Sequence, residues 1–179
     1  MWKDSKQNYG IISKSLHWLS AITIIGLFAA GYWMVDLTYY SQWYKTAPHW
    51  HKSVGILLLL ATVLRLAWRI LTTSPEPIAN HSKLVKTLSA FVHWLLYALM
   101  LIIMITGYLI STADERAIEV FNWFSVPSFG ELFANQADIA GAIHEYGAYS
   151  ILAIATLHAI AAIKHHVVDK DNTLMRMIK

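Results

Sequence analysis

The stretch HEYGAYSILAIATLH, residues 144 to 158, has a histidine at each end of an apolar segment whose only charged residue is Glu145. Along an α-helix, fourteen residues advance ~21 Å and turn about 1400°, roughly 40° from four whole turns. His144 and His158 are therefore expected on one helix face. A lone histidine at a helix end commonly bonds a backbone carbonyl, but ionisable groups inside a membrane are costly. The matched pair predicts a functional site.

The composition around this stretch is that of a membrane protein. The chain has 179 residues, of which 56% are hydrophobic and 14% charged, and its mean hydropathy is +0.44. Four apolar stretches, at 15–35, 53–71, 87–113 and 146–163, approach the roughly 20 residues that span a bilayer. The second is interrupted by Arg65 and Arg69. We expect an all-α integral membrane four-helix bundle that forms a single domain over residues 1–179.

The distribution of basic residues predicts the orientation of the bundle. With four spans, eleven lysines and arginines fall on the side of the two termini and three on the other. Both termini are therefore expected in the cytoplasm, in a multi-pass membrane protein. The longest connection, residues 114–142, contains the apolar run VFNWFSVPSF, for which we expect a short helix on the outer surface.

Other histidines lie at the depths of His144 and His158. The second span runs inward from His51, which places His51 level with His144, whereas His17 and His93 both lie near the level of His158. Facing helices of a bundle build ligand sites from inward side chains. Two stacked bis-histidine sites follow. Distance from the nearest lysine slightly favours His93 over His17 as the partner of His158, without deciding between them.

The chemistry of these sites points to haem b. Zinc usually takes four ligands, and neither level has the carboxylates or thiolates to complete a tetrahedron. Two imidazoles on opposite faces of a planar macrocycle are what a six-coordinate haem requires. The chain has no cysteine, which excludes covalent haem attachment and cysteine-ligated iron–sulfur clusters. We expect two noncovalent haem b groups per chain. Four small residues near the ligands are expected to leave room for them: Ala21, Gly55, Gly147 and Ala155.

Arg65 repeats the helical spacing on another span. It follows His51 by fourteen residues, so it is expected on the same face at the depth of the inner site. A guanidinium there suits a haem propionate, with Arg69 as a second candidate. The alternative is that Arg65 extends to the cytoplasmic interface.

Five stretches form a recognisable pattern along the chain: SLHW (15–18), HKSVGI (51–56) with Arg65, AFVHWLLY (90–97), the stretch 144–158 and the closing HHVVDKDNTLMRM (165–177). In these stretches the sequence resembles the bacterial cytochrome b561 family of four-helix di-haem membrane proteins. The resemblance implies a location in the bacterial inner membrane. It implies that His17 and His158 hold the inner haem, and that His51 and His144 hold the outer one.

Two inner-side histidines remain for a quinone. His165 follows His158 by seven residues, nearly on the same face, so His93 and His165 are candidates for proton transfer to ubiquinone or menaquinone beside the inner haem. The alternative is that His93 packs against a neighbour and that His165 and His166 are solvated. His49 and His81 are expected in water at the membrane surface.

Iron ligated on both faces has no open position for dioxygen, so the predicted function is electron transport between the quinone pool and a periplasmic donor or acceptor. The resemblance also implies a superoxide oxidase as an alternative. However, the outer segments carry seven acidic and three basic residues, and their field would not steer an anion inward, although Lys52 could supply a local positive charge.

Two further alternatives are a cytochrome subunit of a hydrogenase or dehydrogenase, and a nonredox metal transporter. The transporter predicts polar groups at the midplane, where the last span has only small and aliphatic residues, 151–155. Membrane lipid and a second copy of the chain are compatible partners, and no nucleic-acid partner is expected.

Overall fold

Four long helices make up most of the chain in a computed structural model that describes all residues, 1–179. They are α1 (Ile11–Met34), α2 (Thr46–Leu71), α3 (Lys83–Thr112) and α4 (Gln136–Val167), and a short α5 (Met175–Ile178) follows near the C-terminus. Each of the four is long and apolar enough to cross a membrane. The predicted four-helix membrane bundle is confirmed.

Local signals set the helix ends. Pro48 lies in the first turn of α2, where its missing N–H has no helical partner to lose. After α2 the chain becomes extended at Thr72, and Pro75 and Pro77 prevent the helix from continuing. At the start of α3, the Ser82 side chain caps the helix by accepting a hydrogen bond from the Val85 N–H at 3.3 Å.

The helices pack in sequence order. α1 lies beside α2, α2 beside α3, and α3 beside α4 along most of its length, whereas the backbone of α4 scarcely approaches α1 or α2. The buried core at mid-height joins α2, α3 and α4 through Leu58, Met100, Met104 and Ile151. Any contact from α4 to α1 or α2 must therefore be made by long side chains or by a group held between the helices.

The connection between α3 and α4 differs from the prediction. The expected short helix is wrong: β1 (Ile118–Val120) pairs antiparallel with β2 (Phe124–Val126) to form a hairpin. The physical reason is a two-residue period, since Ile118 and Val120 are buried while Glu119 between them is exposed. Phe121 and Asn122 take left-handed φ angles of 46° and 60° in the turn, as the tightest hairpin loops require.

The hairpin closes one end of the bundle, which we call the outer end. Ser53 of α2 is fully buried beneath it; its hydroxyl donates to the His49 carbonyl at 2.8 Å and accepts the Phe121 N–H at 3.1 Å. Ile56, one turn further along α2, packs against the two buried side chains of β1. The hairpin is thus fixed to α2 beside His51.

The two termini close the opposite end, which we call the inner end. The Trp18 indole N–H donates to the Met177 carbonyl at 2.8 Å, and Arg176 donates to the Glu76 carbonyl at 2.7 Å. Residues 1–10 and 72–82, the last turn of α4 from His165 onward, and residues 168–179 together form this inner cap. Both termini therefore lie at one end of the bundle, and their cytoplasmic location stays a prediction.

Candidate functional site

The outer pair of histidines faces across the separation between α2 and α4. The ring centroids of His51 and His144 are 6.2 Å apart, and their planes make an angle of 66°. Two imidazole nitrogens bonded at about 2 Å on opposite sides of one metal ion hold their ring centroids roughly 6 Å apart. The spacing of this pair fits a shared axial ion.

The hydrogen bonds of His144 select a ligating tautomer. Its Nδ1 lies 2.8 Å from the Ile103 carbonyl oxygen, and because a carbonyl only accepts, Nδ1 carries the proton and donates. The lone pair is then on Nε2, and a backbone carbonyl on the other ring nitrogen is the usual support of a ligating histidine. Nδ1 of His51 is buried without any hydrogen-bond partner. These two rings suit a metal-bound group in place of ordinary polar packing.

Two glycines on neighbouring helices make room for these rings. A Cβ at Gly31 of α1 would lie 3.3 Å from Cε1 of His51, and one at Gly107 of α3 would lie 3.0 Å from Cε1 of His144. A Cβ at either position would be tighter against the ring than most side-chain contacts, so the imidazole would have to shift by a few tenths of an ångström. Each outer ring therefore rests against a glycine.

These are not the small residues expected from the sequence. A Cβ at Gly55 would meet nothing within 4 Å, and one at Gly147 would meet Ile103 at 3.0 Å instead of a ring. The sequence signal for such a contact is a glycine within an apolar helix. Glycine makes a helix less stable than alanine does, so its presence there suggests a close approach by a neighbouring group. The sequence contains several such glycines and does not show which of them faces a histidine.

The inner level repeats the outer geometry. His17 of α1 and His158 of α4 have ring centroids 6.4 Å apart and planes at 63°. His93 of α3 also meets His158, at the shorter centroid distance of 5.3 Å and an angle of 70°. The structure thus brings both predicted partners to His158.

Arg65 points into the inner site. Its Nη2 lies 2.9 Å from Nδ1 of His17, its Cζ lies 5.2 Å from the centroid of the Tyr97 ring, and the side chain is half-buried. Because arginine only donates, Nδ1 of His17 accepts, which leaves the ring proton on Nε2. Arg69, the second candidate, lies instead over the Trp94 and Tyr97 rings, 5.9 Å from each centroid. The predicted depth of Arg65 agrees with its position beside His17.

The remaining histidines are distributed between the two ends. His165 lies in the inner cap, where its ring stacks on His81 at 4.6 Å, while His166 is exposed. The expectation that His81 and His49 sit in water is wrong, because both are half-buried. Nε2 of His81 lies 2.7 Å from Oδ2 of Asp171. The ring of His49 lies beside the Phe121 ring, with the centroids 6.3 Å apart. Their surroundings are built by the inner cap and the hairpin, which were not predicted.

Comparison with known proteins identifies the family of this chain. A family model described as prokaryotic cytochrome b561 matches residues 8–179. The chain belongs to the prokaryotic cytochrome b561 family. It is therefore a transmembrane b-type cytochrome, and membership implies that it binds haem b.

Two relatives cover almost the whole cytochrome. It is 46% identical over 175 residues to "Cytochrome b561 homolog 2" of Escherichia coli K12, covering 98% of this chain and 93% of the relative. It is 27% identical over 177 residues to "Probable superoxide oxidase CybB" of Yersinia pestis, covering 96% of each. The resemblance stated from the sequence motifs is thus confirmed at the level of the family.

Proposed function

We propose that this cytochrome transfers electrons across the bacterial inner membrane, between membrane quinone at the inner end and a periplasmic redox partner at the outer end. In this proposal residues 1–179 form one lipid-embedded unit that binds two haem b groups. The observation that carries it is the repetition of one geometry, with ring centroids 6.2 Å apart at the outer level and 6.4 Å at the inner level. One helix, α4, contributes a histidine to each pair.

The proposed axial ligands are His51 with His144, and His17 with His158. At the inner level His93 is an alternative to His17 as the partner of His158 in binding the haem iron. The ring centroids of His93 and His158 are 5.3 Å apart. Two imidazoles bound on opposite sides of one iron, each through a bond of about 2 Å, would have their centroids roughly 6 Å apart. The spacing therefore supports His17, as the family resemblance also implies.

A haem whose two axial positions are both taken by histidine supplies one-electron transfer without an open site for dioxygen. The protein's part is to hold the rings and to exclude water. The Ile103 carbonyl fixes the tautomer of His144, and Gly31 and Gly107 fit against the outer rings. The hairpin, bound to α2 through Ser53, covers the outer end beside His51.

At the inner level Arg65 is the proposed partner of a haem propionate. His17 can bind iron through Nε2 only when its proton moves to Nδ1, and Nδ1 then no longer accepts from Arg65. The guanidinium, half-buried between His17 and Tyr97, needs another acceptor. A carboxylate is the acceptor that arginine binds best, and the propionates are the carboxylates that haem brings.

The inner end is also the proposed site of exchange with ubiquinone or menaquinone. His93 lies beside His158, and His165 lies at the last turn of α4 within the inner cap. Quinone reduction consumes protons, and imidazole is the side chain that exchanges them near neutral pH. We assign proton exchange to these two histidines.

Superoxide oxidation is the second candidate, and the similarity to a protein named as a probable superoxide oxidase favours it. The charges at the outer end oppose it. Arg116 is paired with Asp114, its Nε lying 2.7 Å from Oδ2, so one of the three outer cations is neutralised. The remaining acidic residues would repel an anion. Rapid mixing of the cytochrome with a superoxide source distinguishes the two candidates. Haem reduction near the diffusion limit would identify superoxide as the outer electron donor, in place of a protein or small-molecule carrier.

The electron-transfer proposal is tested in right-side-out membrane vesicles that contain the cytochrome. A ubiquinol analogue should reduce the haem, and a membrane-impermeant acceptor outside should reoxidise it. In His144→Ala the quinol should still reduce the inner haem, but reoxidation from outside should slow strongly. Unchanged reoxidation in this variant would contradict a path through the outer site. If activity required a copurifying soluble enzyme, the cytochrome would instead be the subunit of a hydrogenase or dehydrogenase.

A further inference from the structure

The closing motif of the sequence contributes to a second cluster of metal-binding side chains, separate from the stacked histidine pairs. His81, His165 and Asp171 bring one ligating atom each within 4.8 Å of one another. They come from three separate parts of the inner end: the α2–α3 connection, the last turn of α4 and the C-terminal segment. The fold thus brings His81 to two residues that lie about 85 and 90 positions later in the chain.

The ligating atoms of the cluster lie close together, and one pair of them is hydrogen-bonded. Asp171 Oδ2 lies 2.7 Å from His81 Nε2, with which it shares a hydrogen bond, and 3.5 Å from His165 Nδ1. In a tetrahedral site with bonds of about 2 Å, ligand atoms lie roughly 3.3 Å apart, so a bound ion would replace this hydrogen bond and move the two side chains apart by about half an ångström. The three side chains are between 15% and 17% exposed, so an ion can enter from water but is largely shielded once bound.

His165 lies between two carboxylates. Its Nδ1 makes an ion-pair contact with Oδ2 of Asp169 at 2.7 Å and lies 3.5 Å from Oδ2 of Asp171, but it has no hydrogen bond of good geometry. Both oxygens of Asp169 also accept from Lys164, at 2.9 and 2.6 Å. The lysine thus competes with His165 for Asp169, and Asp171 is the carboxylate that a cation on His165 can share.

The carboxylate is prepared for a cation. The Thr173 N–H donates to Oδ1 of Asp171 at 2.7 Å, which leaves Oδ2 directed at the two histidines. Outer hydrogen bonds of this kind orient metal ligands in known sites.

We propose that His81, His165 and Asp171 bind one divalent cation of the zinc class, with water in the fourth position. Two imidazoles and one carboxylate are a donor set that zinc prefers, and hard cations such as Mg²⁺ prefer oxygen alone. The ion fastens the C-terminal segment and the α2–α3 connection to the end of α4.

The test is a zinc titration of the purified holoprotein after removal of any histidine tag, in competition with a chromophoric chelator. We expect one saturable zinc per chain. His81→Ala and Asp171→Asn should each weaken binding by about tenfold or more. His166→Ala is the matched control, because His166 is exposed beside the cluster and should leave the affinity unchanged.

Two results would overturn the site: no saturable zinc at a stoichiometry of one, or equal weakening by His166→Ala and His81→Ala. Unchanged haem absorption and melting temperature in Asp171→Asn would exclude misfolding as the cause of lost binding. A colourless chain that still binds zinc at this cluster would overturn the proposed electron transfer and leave the zinc site intact.

A consequence follows if the proposed function is also correct. Zinc on His165 would remove that ring from proton exchange with quinone, so zinc should slow quinol-dependent haem reduction in the wild type. His81→Ala, which retains His165 but loses the zinc site, should be insensitive. Zinc binding without any slowing would overturn the quinone role of His165 and support the metal site alone.

Discussion

At the scale of single residues, the sequence predicted which histidines lie together better than it predicted the residues around them. The fourteen-residue repeat on α4 was visible as a helical period, and the level of each span placed His51 opposite His144 and both His17 and His93 near His158. Gly107 could not be predicted, because its role depends on the rotation of α3 against α4. The contact between Arg65 and His17 likewise depends on how two helices pack, although the depth of Arg65 followed from its spacing.

Gly107→Ala tests the support of the outer site. The added Cβ would lie 3.0 Å from Cε1 of His144 and must displace the ring or the helix. Overpacking costs about 1–3 kcal/mol, which corresponds to binding of the outer haem that is weaker by roughly fivefold to somewhat more than a hundredfold. Haem content per chain measures the effect. Gly141→Ala, also within an apolar stretch but with nothing within 4 Å of the new Cβ, is the control and should keep full content.

Arg65→Leu tests the ion pair at the inner site. Removal of a positive charge near the inner haem makes its reduced form less stable. The free energy of one-electron reduction should become less favourable by roughly 1–2 kcal/mol, which lowers the midpoint potential by tens of millivolts. Spectroelectrochemical titration measures this shift. Arg69→Leu is the matched control, since Arg69 stacks on Trp94 and Tyr97 and does not touch His17. If Arg65→Leu left the inner haem's content, spectrum and potential unchanged, the propionate assignment would be wrong.

At the scale of elements, the four helices were predictable because length and apolar composition suffice to identify a membrane span. The hairpin was not, since its run of apolar residues is short and its two-residue period covers only three positions. Its stability comes from Ser53, which lies about 65 residues earlier in the chain. The closing motif was recognised only as a mark of the family, and its role in the inner cap required the contacts of His165 and Asp171 with His81.

Ser53→Ala tests the attachment of the hairpin. The substitution leaves the buried Phe121 N–H without an acceptor, which should lower the free energy of unfolding by about 1–3 kcal/mol. The outer haem should also react faster with an impermeant oxidant, because the cover over His51 loosens. Ser125→Ala is the control: its hydroxyl bonds the exposed Glu119 side chain, so little should change. Equal melting temperatures for the two variants would argue against the clamp.

At the scale of the whole molecule, hydropathy and charge predicted a bundle with both termini at one end. The separation of α4 from α1 and α2 was not predictable, because it results from the close packing of α4 on α3. This separation brings the ligands of both proposed sites face to face. The direction of the bundle in the membrane rests on the asymmetry of lysine and arginine.

The absence of cysteine makes the orientation directly testable. Single cysteines placed at Ser128 in the outer connection and at Lys179 at the C-terminus should differ in intact cells. An impermeant maleimide should label Ser128→Cys only, and both variants after the cells are opened. Labelling of Lys179→Cys in intact cells would reverse the orientation.

The measurement that most directly tests the account is haem quantitation with reduced-minus-oxidised spectra of the purified chain and of two variants. The wild type should contain two b-type haems per polypeptide. His144→Ala and His158→Ala should each lose one haem, and the two lost spectral components should differ. A colourless chain, or two variants that lose the same component, would contradict the stacked pair of bis-histidine sites.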